Sequence, residues 1–345
     1  MIYYVKMYSA IQQRVDEAQQ IVIIQPENPD ADSLGTATAL EEIFGDMGKH
    51  VTMFSAIDMP KYLHYISGWS RVSKDFDGKY DLAIIVDTAA EALLVKTLET
   101  AGVRHFFETH PVIVLDHHND EREDENDDAS LSFPHEFFLD EKAASTSEFV
   151  YQIASELGWS INQTAAENML ASILGDTLGL STQSVSERTL ETVLALTKLG
   201  AHISNIEQKR REFMKKPADI LEYKAELIKR IEYYCDGRLA LVHIPWEDIA
   251  EYSDRYNPSV LVLDEMRLVE GVDVAIAIKT YPDEKLTGKI RSNIPISDKI
   301  AGYFGGGGHS YSAGYKIYES YDTAVKDLLS ATEKILKDYD DAQVI

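Results

Sequence analysis

Cysteine is almost absent: Cys235 is the single example in 345 residues. One thiol can build neither a disulfide framework nor a cysteine-rich zinc site, and its isolation suits a reducing compartment. No apolar run approaches the ~18 residues that a membrane span requires. The N-terminal stretch, 1–20, mixes charges with apolar residues and lacks the apolar core of a leader. These absences point to a soluble cytoplasmic protein with no membrane partner. Basic residues are also scarce, with 33 Lys and Arg against 58 Asp and Glu, a formal net charge of −25. Long nucleic acids are held mainly by cations that displace counterions, so this surface should repel them. The excess acid is first of all a solubilising surface, but the balance favours a small anionic substrate held by metals and a few cations. Hydrophobic residues are not scarce, at 45%, and the length suggests two domains rather than one.

The first half alternates short β-rich runs with helical patterns, as expected of an α/β fold whose parallel sheet is covered by helices on both faces. Strands are expected at 20–25 (QIVIIQ), 50–56, 80–88 and 110–118, and helices at about 33–47, 145–157, 163–174 and 187–199. Near-continuous apolar runs such as 83–86 and 112–115 suit strands buried on both sides. Several of these strands end in acids or imidazoles, and ligands of open α/β sheets bind beyond the carboxyl ends of the strands. The run 119–128 holds seven acids and one Arg and reads as an exposed loop. Residues 203–217 read as a polar, basic-leaning connector. From about 218 a smaller α/β unit follows, with strands at 239–244, 272–279 and 287–291. The expected division is 1–200, a linker at 201–217, and 218–345, with a cleft between the domains.

Four clusters carry chemistry. Asn28-Pro29-Asp30-Ala31-Asp32-Ser33-Leu34-Gly35 follows the first strand. Asp87 closes the third, Asp116-His117-His118 closes the fourth, and Asp176 ends an apolar helix. Each alone has an ordinary explanation; an Asp before a helix, for example, is a common N-cap. Gathered at one sheet edge, however, these carboxylates would repel one another unless they took up protons or a cation. Mixed carboxylate and imidazole donors favour Mn²⁺ over Mg²⁺ or Ca²⁺. Two such ions can activate water and stabilise an in-line phosphoryl displacement. The residues therefore point to metal-assisted phosphoester hydrolysis.

In this order Asn-Pro-Asp-x-Asp, Val86-Asp87, Asp116-His117-His118 and Gly175-Asp176-Thr177 resemble the motifs of the DHH phosphoesterase superfamily. Gly305-Gly306-Gly307-Gly308-His309 with Ala313-Gly314 resembles its DHH-associated C-terminal domain. The layout is most similar to the nano-RNase and pAp-phosphatase branch. The resemblance implies hydrolysis of short oligonucleotides and 3′-phosphoadenosine 5′-phosphate by a metal-activated water. It implies that Asp87 bridges two divalent ions, that Asp32, His117 and Asp176 complete the second, and that Asp30 binds the first. His118 would contact the scissile phosphate or assist the leaving group, and Asp116 would support the histidines. Arg291, Gly306, Gly307, Gly308 and His309 would hold the substrate's remaining phosphate or base, with Tyr303, Tyr311 and Tyr315 nearby for stacking. The resemblance is also compatible with a homodimer.

One departure stands out. The family carries a His four residues before its first Asp, and here that position is Pro26. The first ion could be held more weakly by oxygens alone, Glu27 could substitute, or the site could be lost to leave a nucleotide-binding protein. Retention of every other ligand favours an active enzyme with an altered first site, and an oxygen-only site should tolerate Mg²⁺. A cyclic- or linear-dinucleotide phosphodiesterase is the competing catalytic reading, because such relatives share these motifs. Ser145, Thr146, Ser147 and Glu148 read as a helix start.

Overall fold

The computed structural model describes residues 2–118, 131–253 and 256–343, with side chains from Met7 onward and without that of His309. The acidic run 119–128 lies outside them. The chain divides into two compact units, Met1–Lys215 and Lys216–Ile345.

The first unit is built on five parallel strands: β1 (Gln20–Ile24), β2 (His50–Phe54), β3 (Leu82–Val86), β4 (Val112–Asp116) and β5 (Glu136–Leu139), in the order β2-β1-β3-β4-β5. Alternate side chains of each strand enter different cores, as a strand's twofold period requires. Ile21, Ile23, Ile84, Val86, Ile113 and Leu115 face a large helical layer formed chiefly by Ala31–Asp46, Thr146–Leu157 and Gln163–Asp176. Val22, Ile24, Ala83, Ile85, Val112 and Val114 face the shorter helices Val95–Glu99 and Val103–Thr109. Both faces are thus covered, which explains the unbroken apolar runs.

The strand order determines where a site can form. The chain leaves β1 toward one edge and returns past it to β3 on the other side. The segment after β1 runs into Ala31–Asp46 on one face, and the helices after β3 lie on the opposite face. Diverging connections open a crevice above the β1–β3 pair, and the two acid-bearing loops lie at that point.

Residues 203–217, expected as a connector, instead contribute the helix Ile203–Phe213, which buries Ile206 in the first core. Its polar composition belongs to an exposed face that carries ion pairs such as Lys209–Glu167 at 3.0 Å.

The second unit holds a six-stranded sheet: β6 (Glu232–Tyr234), β7 (Leu239–Ile244), β8 (Val274–Thr280), β9 (Lys285–Ser292), β10 (Gly307–His309) and β11 (Ser312–Tyr318), ordered β10-β11-β9-β8-β7-β6. Its pairs are antiparallel except β7 with β8. Leu241, Ile276 and Ile290 pack under Ser297–Tyr303 and Tyr321–Gln343, and Ala240, Val242 and Ala277 under Ala218–Lys229 and Pro258–Arg267. No described helix is long and apolar enough to cross a membrane.

Candidate metal centre

Asp30 is the N-cap of Ala31–Asp46, and its Oδ1 accepts from the amides of Asp32 at 2.9 Å and Ser33 at 3.0 Å. The capping role and the expected ligand role therefore fall on one side chain. Two residues on, Asp32 is 1% exposed. Its Oδ2 accepts from Thr146 N at 2.7 Å, and its Oδ1 from Ser147 N and Thr36 Oγ1, both at 3.2 Å, and from Ser172 Oγ. The N-terminus of Thr146–Leu157 is thus aimed at Asp32, a natural partner for a carboxylate.

Asp87 follows β3 in the left-handed backbone region, at φ +65°, where a non-glycine residue is strained by about 1–2 kcal/mol. Its amide donates to Leu115 O at 2.9 Å, and its Oδ1 accepts from Thr146 Oγ1 at 2.9 Å. Such an outlier at a buried acid is typical of a side chain re-aimed for function.

The histidines at the end of β4 are held differently. His117 Nδ1 lies 3.2 Å from Ala143 O, a carbonyl that can only accept, so Nδ1 donates there and Nε2 is the nitrogen turned to the acids. That Nε2 is 3.4 Å from Asp176, 3.5 Å from Asp32 and 3.8 Å from Asp87. It is buried and has no hydrogen-bond partner. A bare nitrogen among three carboxylates would be repulsive, so the arrangement calls for a proton or a cation among them. His118 is more open, its side chain 51% exposed, with Nδ1 2.7 Å from Asp116 Oδ1 and 3.8 Å from Asp87 Oδ1. Asp116 Oδ1 also accepts from the amides of His117 and His118, at 2.8 and 3.2 Å.

The electrostatics follow from this crowding. Burial, then Asp32 and Asp30, push the Asp87 carboxyl well above the ordinary carboxylate range. Burial also opposes ionisation of Asp32, but His117 and the hydrogen bonds from Ser172 and Thr146 outweigh it and hold the group low. Asp176 is pushed up to about 7, by burial first and Asp32 second. Asp30 is raised by burial and by Asp32. The Asp116 hydrogen bond pushes His118 up to about 9, against the opposing effect of burial, so its ring is cationic at neutral pH.

The donor set fits a divalent cation. Asp32, His117 and Asp176 bring one ligand atom each into a space within 4.8 Å, as do Asp87, His117 and His118. The second group would use His118 Nδ1, which is already committed to Asp116, so the first is the better cradle. Glu27 does not enter the cluster: its carboxylate caps the backbone amide of Lys96, away from the place Pro26 leaves without an imidazole.

Close helix packing brings Asp32 and Asp176 together. A Cβ at Gly35 would lie 2.7 Å from Asn168 O and 2.8 Å from Ser172 Cβ, and one at Gly175 would lie 2.5 Å from Ala31 Cβ. Sequence reasoning favoured a helix start at Ser145–Glu148 over N–H groups presented to a phosphate, and Ser145 does cap that helix. It missed that Thr146 and Ser147 clamp Asp32 and Asp87, and it did not find Ser172, Thr36 or the Ala143 carbonyl. Thr146 is 114 residues from Asp32, and no local pattern marks that pairing.

In the second unit Arg291 is half-buried on β9, its Nη1 donating to Ile290 O at 2.9 Å. Backbone register places Arg291, Ser312 and His309 on one rung across β9, β11 and β10. The His309 side chain lies outside the described residues. Packing explains two of the expected glycines: a Cβ at Gly306 would meet Gly314 O at 2.3 Å, and one at Gly308 would meet Ala313 Cα at 2.6 Å. Gly307 faces open space, where a ligand can approach the backbone. Tyr303 and Tyr311 are exposed, at 62% and 52%. Tyr315, expected as a stacking surface, is instead core: its ring stacks on Phe304 at 4.5 Å and covers Gly288.

A carboxylate–imidazole crevice at the switch point of a parallel sheet is the architecture of a metal-assisted hydrolase. Residues 20–174 match the model of the DHH family, N-terminal domain. Over 324 residues it is 22% identical to the bifunctional oligoribonuclease and PAP phosphatase NrnA of Bacillus subtilis, covering 93% of this chain and 96% of that one. It is 24% identical to a probable manganese-dependent inorganic pyrophosphatase of Lactobacillus johnsonii over 272 residues, 75% of this chain and 81% of the relative. The crystal structure of an exopolyphosphatase-related protein from Bacteroides fragilis shares the fold, with a TM-score of 0.81 at 19% identity and 96% of both chains covered.

Proposed function

We propose that this phosphoesterase acts on short oligonucleotides and 3′-phosphoadenosine 5′-phosphate in the cytoplasm, with two divalent ions, Mn²⁺ preferred, held by Asp30, Asp32, Asp87, His117 and Asp176. The observation that carries the reading is the buried, unpartnered His117 Nε2 surrounded by Asp32, Asp87 and Asp176 at 3.4–3.8 Å. The resemblance to an oligoribonuclease and PAP phosphatase along almost the whole chain supports the substrate class. So does the net charge of −25, which disfavours long polyanions. The name of the pyrophosphatase relative supports manganese. Pro26 removes the usual imidazole from the first ion, leaving Asp30 and Asp87 as its oxygen donors, so Mg²⁺ should support turnover as well.

When bound, such ions lower the pKa of a coordinated water and offset charge on the phosphoryl oxygens. The protein's own groups do the rest. Ala143 O fixes His117 with Nε2 inward, Thr146 holds Asp87 in its strained pose, and the amides of Thr146 and Ser147 fix Asp32. Asp116 holds His118 Nδ1, so the protonated ring presents its Nε2–H outward, where it can bind a phosphate oxygen or give its proton to the leaving oxygen. Arg291, His309 and the Gly306–Gly307–Gly308 backbone are assigned to a second, non-reacting part of the substrate.

The test is release of phosphate or mononucleotide from pAp and from a ladder of short RNAs, with Mn²⁺ and Mg²⁺ compared and Asp87→Ala as control. Metal-dependent release that falls at least a thousandfold in the control is expected. Absence of release from every substrate, with nucleotide binding intact, would overturn the reading in favour of a binding protein.

A further inference from the structure

The second unit carries a concentration of positive charge that the catalytic reading does not use. Lys279 on β8, Thr287 and Lys289 on β9, and Lys316 on β11 occupy one face of the sheet. The pairing Lys279↔Thr287↔Lys316 puts three of them on one rung, and Lys289 follows Thr287 by two residues. They line a cavity of about 620 Å³, with Gly288 and Gly314 along its wall.

Three features separate this pocket from ordinary surface lysines. Several cations of this acidic chain stand against carboxylates, as in Arg71–Glu41 at 2.6 Å, Arg188–Glu148 at 2.7 Å and Arg238–Asp273 at 2.5 Å. Among the described residues, none of the three pocket lysines has such a partner; Lys279 Nζ meets only the neutral Asn257 Oδ1, at 2.8 Å. Secondly, the lysines repel one another. Burial and then Lys289 push Lys279 down to about 8, and burial and then Arg291 lower Lys289. Positive charge is gathered here although the chain carries 25 surplus negative charges that could have neutralised it. Thirdly, Gly314 opposes Lys289 in the register, so no side chain covers the lysine from that strand.

The geometry points to a binding pocket in the second unit for two or more adjacent phosphate groups at Lys279, Lys289 and Lys316, beside Gly306 of the glycine run and beyond the Arg291–His309 rung. Ammonium groups attract phosphate as point charges without fixed orientation, and Thr287 adds a hydroxyl donor. Three cations exceed the need of a single monoester. The ligand is either the flanking phosphodiesters of an oligonucleotide substrate or a free polyphosphorylated nucleotide.

The test has two arms on the full chain. In the first, sodium tripolyphosphate is titrated calorimetrically into the wild type, Lys279→Gln/Lys289→Gln and Lys316→Gln, with and without Mn²⁺. Metal-independent, salt-sensitive binding is expected, weakened about tenfold per lysine removed; Lys316→Gln leaves the Asn257 cap untouched should the double variant fold poorly. In the second arm KM and kcat are measured for pAp and for RNA of two to five nucleotides. A KM that rises for the longer oligomers at unchanged kcat identifies the ligand as substrate. Unchanged KM values with lost tripolyphosphate binding identify a free polyphosphorylated nucleotide. Tripolyphosphate binding that is as tight in both variants as in the wild type would overturn the pocket. The second arm rests on the proposed phosphoesterase activity and the first does not, so failure of one is distinguishable from failure of the other.

Discussion

Proton–cation competition at the acidic crevice can be worked out from the structure. With Asp176 raised to about 7, roughly a tenth of it is ionised at pH 6 and roughly nine-tenths at pH 8. A cation bound through that carboxylate must displace the proton, so apparent Mn²⁺ affinity should rise about tenfold across this interval, or roughly 1.4 kcal/mol. Asp87, also held well above the ordinary carboxylate range, should steepen the rise if it too gives up a proton. His118, at about 9, stays charged at both pH values and contributes little. Stability without the cation should run the other way. The folded Asp176 lies above its ordinary 3.8, so its contribution is complete below that value and is lost as pH rises through about 7. Calorimetric titration of Mn²⁺ at pH 6 and pH 8, with urea unfolding of the cation-free protein at both, measures each effect. Asp176→Asn should remove the Asp176 share of both dependences. An Mn²⁺ affinity that changed less than about twofold between pH 6 and pH 8 would refute the reasoning, because the carboxyl would then be ionised throughout.

Other perturbations follow from the packing around the crevice. Arg188 pairs at 2.7–2.8 Å with the buried Glu148 and Asp140, and Glu148 also holds Ala144 N, next to the carbonyl that orients His117. Arg188→Met should therefore cost about 3–5 kcal/mol in urea unfolding and lower kcat without raising KM; a loss below about 1 kcal/mol would show that water reaches those acids. Gly35→Val should cost about 1–3 kcal/mol by overpacking against Asn168 and Ser172. By parting the two helices it should also weaken Mn²⁺ binding at least tenfold, and unchanged binding in the same calorimetric assay would show that the helices do not set the distance between Asp32 and Asp176.

The sequence by itself determined the periodic and chemically distinctive parts of the molecule. Strands β1, β3 and β4 were legible because both faces of each are buried, which leaves unbroken apolar runs that end at the acids and imidazoles of the crevice. Asp32, Asp87, His117, His118 and Asp176, which the fold brings close together, stood out for a related reason: acids and imidazoles repeated at strand and helix ends suggest one shared crevice. Short or half-covered elements were not legible. β5 is four residues with a single fully buried side chain, Ile2–Glu17 has an interrupted apolar stripe, and Ile203–Phe213 buries one residue and so resembles a linker.

Tertiary structure alone decided how the crevice is wired. That Ala143 O sets the His117 tautomer, that Thr146 braces Asp87, that Glu27 caps Lys96 instead of replacing the absent imidazole, and that Tyr315 is core are consequences of contacts between segments far apart in the chain. The lysine pocket belongs with them. Lys279, Lys289 and Lys316 are unremarkable in sequence, and only strand register places them on one face, because pairing across a sheet is set by which backbones meet and not by local composition.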